Sequence, residues 1–128
     1  MPLSSAETGN LVAALLTVNL FPLARAHALI PGFRAAGLLD PAVVAAMPQP
    51  AVIAAMEAAG YTRGGFLPIV SFRLYALLEA VAAGELDGLR AHVAAGDRVG
   101  FVAALGAIKG FGPSTAGAAW ELWAADRG

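Results

Sequence analysis

The sequence predicts an all-α fold. Three observations carry the prediction. Apolar residues recur at helical spacing, helix-start and helix-stop residues punctuate the chain at short intervals, and no useful run alternates apolar with polar.

Ser4-Ser5-Ala6-Glu7 reads as a capping box, in which Ser4 bonds forward to an orphan amide and Glu7 reaches back. The helix it opens is predicted to run to about Leu20, with Leu11, Val12, Leu15, Leu16 and Val18 on its buried side. Pro22 suits the first turn of a second helix, which Pro31-Gly32 is expected to close. A short helical turn over Phe33 to Leu38 follows. Asp40 caps a helix from Pro41 to Met47, and Pro48-Gln49-Pro50 breaks it and starts Pro50 to Ala59. Gly60 is the expected left-handed C-cap. After the loop Tyr61 to Gly65, the longest helix is predicted from about Phe66 to Ala83, with Pro68 tolerated in its first turn and Gly84 as its stop. Glu85 to Ala95 is weakly helical and ends at Gly96. Asp97 caps a helix from Arg98 to about Ala107, and a last helix runs from Pro113 to about Ala124.

Composition narrows what such a fold does. The 128 residues suit one domain, and no linker or internal repeat divides them. Charged residues make up 13% of the chain, against a typical share of about 25%. A surface this neutral is either alanine-rich or covered by a partner, so a homodimer or a protein partner is expected. Eight basic residues and a net charge of −1 exclude the long electrostatic footprint of a chromatin-type binder. Any nucleic-acid contact is then local and weak. With no cysteine, the chain has no disulfide, thiolate zinc site or cysteine-held cluster. His27 and His92 stand far apart with no ligand-spaced neighbour, so neither metal nor cofactor is expected. Met1 to Thr8 lacks the pattern of a leader. Leu11 to Ala24 is broken by Thr17, Asn19 and Pro22, too short for a span of about 20 residues. A soluble, cytoplasmic protein with no membrane segment is the expectation.

The most informative stretch is Ile108-Lys109-Gly110-Phe111-Gly112-Pro113, followed by Ser114-Thr115-Ala116. Two glycines allow positive φ and leave no Cβ in the way of an approaching ligand. Phe111 can turn inward and pin the loop. The loop amides and those of the next helix's first turn then face outward without intrahelical partners, at the positive end of a helix dipole. Lys109 adds a mobile charge. The plainer alternative is a tight helix–helix connector that binds nothing.

The run from Leu105 to Ala118 resembles the hairpin of the helix-hairpin-helix DNA glycosylase superfamily, which includes endonuclease III and the adenine mismatch glycosylase. Ser114 to Ala118 is closer to the mismatch enzyme. Upstream, Leu11 to Leu20 resembles the first barrel helix, Asp40 to Met47 and Pro50 to Ala59 the short capped helices, and Ala59-Gly60-Tyr61 with Arg63 the loop that wedges into the DNA stack. The resemblance spans nearly the whole chain, although only the hairpin is a specific motif. It implies a compact orthogonal bundle of the six-helix barrel type over residues 1–128, with the helix-hairpin-helix at about 98–124. It also implies that the barrel domain stands alone, without the second domain that usually holds an iron–sulfur cluster.

By that resemblance Lys109, Gly110, Phe111, Gly112, Ser114 and Thr115 form the grip on DNA backbone. Tyr61 and Arg63 contact the far side of a bend, and Asn19 sits where the family inserts a polar residue into the gap. Structural roles for Tyr61 and Asn19, closing or capping helix ends, stand beside those functional ones. Arg73 is a further phosphate candidate. The catalytic pattern departs from the family. Ser114 occupies the lysine nucleophile's position, as in members that only hydrolyse. Asp126 falls too early for the family's aspartate, and the mismatch enzyme's glutamate aligns near Ala13. The expectation is a DNA-binding, repair-related protein without catalytic residues. The alternatives are a glycosylase using a remote carboxylate such as Glu57 or Glu79, and a protein-interaction or dimerisation module.

Overall fold

The computed structural model describes residues 3–127, with Arg127 by its backbone alone. Met1, Pro2 and Gly128 lie outside the described residues, the first two belonging to the stretch read above for a leader. Within them the fold is all-helical, without a strand. Its helices are α1 (Ser5–Leu15), α2 (Leu23–Ala35), α3 (Pro41–Ala45), α4 (Gln49–Ala58), α5 (Leu67–Ala82), α6 (Leu89–Ala94), α7 (Arg98–Leu105) and α8 (Pro113–Arg127). Short 3-10 turns cover Val18–Leu20 and Gly64–Phe66.

Local chemistry sets most boundaries. Ser4 accepts the Glu7 amide at 3.1 Å, and Glu7 accepts the Ser4 amide at 2.8 Å, completing the capping box. Asp40 and Asp97 cap α3 and α7 by accepting the amides of Ala42 and Gly100. Gly60 ends α4 at φ 106°, where the Tyr61 amide bonds back to the Met56 carbonyl at 3.0 Å. That six-to-one bond defines a Schellman stop, which needs a left-handed residue.

Two boundaries differ from expectation. α1 stops at Leu15 rather than near Leu20 because side chains take the carbonyls a longer helix would use. Tyr61 Oη donates to the Leu16 carbonyl at 2.8 Å, and Arg63 donates to that of Val18 at 2.9 Å. Asn19 and Leu20 then turn into left-handed backbone, at φ 55° and 67°. α2 runs straight through Pro31, so the separate turn expected at Phe33 to Leu38 is absorbed into it. An interior proline costs about 3 kcal/mol. Here Pro31 lies on the exposed face while Ala26, Ile30 and Phe33 are buried on the other, and that packing carries the helix past it. α6 is also shorter than expected, its buried Leu89 and Val93 forming one turn beyond a looser approach.

The core gathers around α1, whose residues Leu11 to Leu15 are all buried, as is Leu16 just beyond its end. α1 packs against α2, α5 and α8, and α7 packs against both α6 and α8. The stretch Gly64–Ala82 is long and apolar enough to cross a bilayer, and 44% of its apolar window is buried inside the fold. The same length and composition are found in core helices of globular proteins.

Glu7 also ties α1 to α6. The Arg90 guanidinium forks onto its carboxylate, Nε to Oε2 at 2.7 Å and Nη2 to Oε1 at 2.6 Å. Those Arg90 bonds chiefly hold the Glu7 carboxyl below the ordinary glutamate range; the Ser4 amide assists and partial burial opposes. A carboxyl with a lowered folded-state pKa contributes stability that is complete above the unfolded-state value and lost as pH falls through the folded one. Urea melts across the acidic range should therefore show a loss of stability on acidification that is smaller in Glu7→Gln. Equal pH dependence in both proteins would contradict the role given to this pair.

Candidate nucleic-acid interface

α7 ends in a run of tightening turns. Gly106 and Ile108 bond back to Val102 and Leu105 at 2.9 and 3.0 Å, and the Phe111 amide closes onto the Ile108 carbonyl at 3.1 Å. The chain reverses at Gly110, whose φ is 98°. Phe111 is 2% exposed and anchors the loop in the core. Its amide and ring are both consumed by the fold, so Phe111 shapes the hairpin and presents nothing to a ligand.

The neighbouring amides differ. Those of Lys109, Gly110 and Gly112 bond no backbone acceptor among the described residues. Gly112 precedes Pro113 and offers no side chain to bond the first-turn amides of Ser114 and Thr115, which no intrahelical carbonyl can reach. A Cβ placed on Gly112 would meet nothing within 4 Å, so this side of the loop is open. Lys109 and Ser114 are exposed and Thr115 half-buried.

Arg73 of α5 completes the hairpin's surroundings. Its stem lies across Gly110, with Cδ 2.7 Å and Nε 3.2 Å from where a Cβ would stand. Its Nε is buried without a hydrogen-bond partner. Arg73 and residues 106–112 line a shallow recess of about 540 Å³. Two cations, Lys109 and Arg73, thus flank open amides, an arrangement suited to a singly charged anion.

On the other side of Pro113 lies a wider groove of about 690 Å³, where Ser114 and Thr115 face the left-handed turn that holds Asn19 and Leu20. Leu20 is 95% exposed. Arg98 and Glu121 also line this groove. The Arg98 guanidinium lies against α8 at Gly117, 2.8 Å from the place a Cβ would take.

The residues singled out in sequence therefore separate into two groups. Lys109, Gly110, Gly112, Ser114 and Thr115 gather at the hairpin and the start of α8, and Asn19 joins them across the groove. Tyr61 does not. It is fully buried, donates its hydroxyl to Leu16, and packs edge-on against Phe21 at 5.2 Å, so no base can stack on it. Arg63 is likewise turned inward. Its guanidinium bonds the carbonyls of Val18 and Asn19 and lies over the rings of Phe21 and Phe66 at 5.0 and 4.9 Å. It clamps the turn that presents Asn19 and Leu20.

Neither Glu57 nor Glu79 borders the groove; Glu79 lines a separate hollow beside Asp40 and Tyr75. Glu121 is the carboxylate that does. Sequence reasoning passed over Leu20, Arg98 and Glu121, since none carries a local signal of its place. Among the described residues no group of three or more potential ligands is placed to hold a metal ion. No family model matches the sequence, and no curated protein or solved structure matches it either.

Proposed function

We propose that this chain is a helix-hairpin-helix DNA-binding protein with a barrel of the glycosylase type, gripping backbone phosphate without catalysis in a repair-related role. The open amides of Gly110 and Gly112 carry this reading. A phosphate held there accepts those amides and the first-turn amides of α8, with Lys109 and Arg73 supplying charge. Asn19 and Leu20, held rigid by Arg63, stand across the groove where a distorted duplex would meet them. Two or three neutralised phosphates give an affinity of about 10⁻⁴–10⁻⁶ M and a shallow salt dependence, with a log–log slope near −2 to −3.

A titration of nicked and mismatched duplex at low salt tests this, comparing the wild type with Lys109→Glu and Gly110→Glu. Both variants should bind several-fold more weakly. Gly110→Glu also adds left-handed strain and a clash with Arg73, so circular dichroism must accompany its titration. Absence of binding by the wild type ends the DNA reading.

A glycosylase is the second reading, favoured by Glu121 at the groove, where a carboxylate can stabilise a cationic sugar. Release of damaged bases that disappears in Glu121→Gln would establish it. Docking of a protein or a second copy is the third, favoured by Ile69 and Phe72, 45% and 60% exposed and one turn apart on α5. Sedimentation at high concentration tests for self-association.

A further inference from the structure

Helix α5 is apolar on two sides. Val70, Leu74, Leu77 and Val81 are buried in the core. On the outer side Ile69 and Phe72 are 45% and 60% exposed, Ala76 is half-buried, and Glu79 and Ala83 are exposed. Fewer than half of the residues in its apolar window are buried in the fold. A helix with apolar residues all round is ordinarily covered all round, so the outer face calls for a neighbour. Positions 69, 72, 76, 79 and 83 recur at alternating steps of three and four, the seam spacing of one helix laid along another.

The face complements itself. Its first half is bulky, with Ile69 and Phe72; its second half is small, with Ala76, Ala80 and Ala83. Arg73 flanks the first half and Glu79 sits in the second. Neither of these side chains has a hydrogen-bond or ion-pair partner among the described residues. In a pair of antiparallel α5 helices with a two-fold axis at Ala76, each residue before the axis faces the one equally far beyond it. Arg73 then stands opposite Glu79, twice over, and Ile69 opposite Ala83. Phe72 enters the hole between Ala76, Glu79, Ala80 and Ala83 of the second copy, where three alanines leave room for the ring.

We propose that the outer face of α5 docks on the same face of a second copy of this chain, antiparallel across a two-fold axis at Ala76. A two-fold interface joins one patch to itself and so requires the patch to be self-complementary. Any other partner would have to carry the same bulky-to-small gradient and the same charges in reverse, which this helix already supplies. A helix of 16 residues is about 24 Å long. One such pair covers less than a standard interface of about 1,600 Å², so the association is weak and follows concentration. The inference rests on the third reading above and deepens it, apart from the DNA reading. Arg73 turned to Glu79 leaves the hairpin recess, so a second copy and a phosphate compete for one guanidinium.

Sedimentation velocity from micromolar to millimolar concentration should show a monomer–dimer equilibrium. Phe72→Glu should weaken it by at least about tenfold. Arg73→Glu and Glu79→Arg, each setting like charges face to face, should weaken it several-fold, and the two together should restore it. Circular dichroism checks that each variant folds; Glu79→Arg, at an exposed position, keeps the test sound even where the change at Arg73 disturbs the hairpin. The chain contains no cysteine, so Ala76→Cys places a single thiol on the axis. Mild oxidation should trap that variant as a disulfide dimer well ahead of Val99→Cys, whose position on α7 is 82% exposed. A monomer at every concentration overturns the proposal. So does a dimer that none of these charge or aromatic changes weakens and that Ala76→Cys does not trap, a result that moves the contact elsewhere and leaves the third reading standing.

Discussion

Replacing Tyr61 with alanine should lower the free energy of unfolding by about 3–5 kcal/mol, the range for removing a fully buried aromatic ring. The ring is 0% exposed and sits edge-on to Phe21 and Phe33, with centroids at 5.2 and 6.4 Å. Its hydroxyl meets the Leu16 carbonyl at the point where α1 stops. Tyr61→Phe keeps the ring and removes only that bond, leaving a buried carbonyl unsatisfied for about 1–2 kcal/mol. Urea unfolding of both variants separates the two contributions. Because the ring is buried out of reach of any base, folded Tyr61→Phe should bind DNA as the wild type does.

Phe101→Ala should cost a similar amount, about 3–5 kcal/mol. Phe101 is 0% exposed and makes T-shaped contacts with Trp120 and Trp123 at 5.4 and 5.6 Å. These rings join α7 to α8, the two helices that carry the hairpin, and such aromatic pairs add about 0.5–1.5 kcal/mol beyond burial. The cavity left behind lies between α7 and α8, the two helices that the hairpin joins. Denaturant melts should show a lower midpoint, and DNA binding should weaken even where Phe101→Ala remains folded. An unfolding free energy within about 1 kcal/mol of wild type would mean that the helices repack around the gap.

Much of the architecture was legible because its causes are local. Ser4 with Glu7, Asp40 and Asp97 mark helix starts through side-chain bonds spanning two or three residues. Gly60, Gly84 and Gly96 mark stops for the same reason. The hairpin was legible too, because two glycines around an apolar anchor encode a turn within a few residues. What escaped depends on distant partners. The end of α1 is set by Tyr61 and Arg63, 45 positions away along the chain. Nothing near Leu16 announces that its carbonyl is taken. Arg63 read as a DNA-facing loop residue and Tyr61 as either that or a tyrosine closing a helix end, because an aromatic and a cation after a helix stop look alike in sequence whether they face water or the core. Pro31 misled for the converse reason. Its local penalty is real, and only the buried residues on either side outweigh it. The groove was invisible as a whole, since Leu20, Arg98 and Glu121 meet only after α8 has folded back onto α1 and α7.

The contact between α1 and α8 has a consequence for how the polypeptide matures during synthesis. Asn10 and Asp126, partners across 116 positions, belong to the first and last helices. α2 and α5 can pack on α1 as they form, but the part of α1 that α8 covers is completed only when α8 arrives, and closing so long a loop is slow. Until then the face of α1 awaiting α8 stays solvent-exposed, which makes a chain truncated before α8 more prone to aggregate.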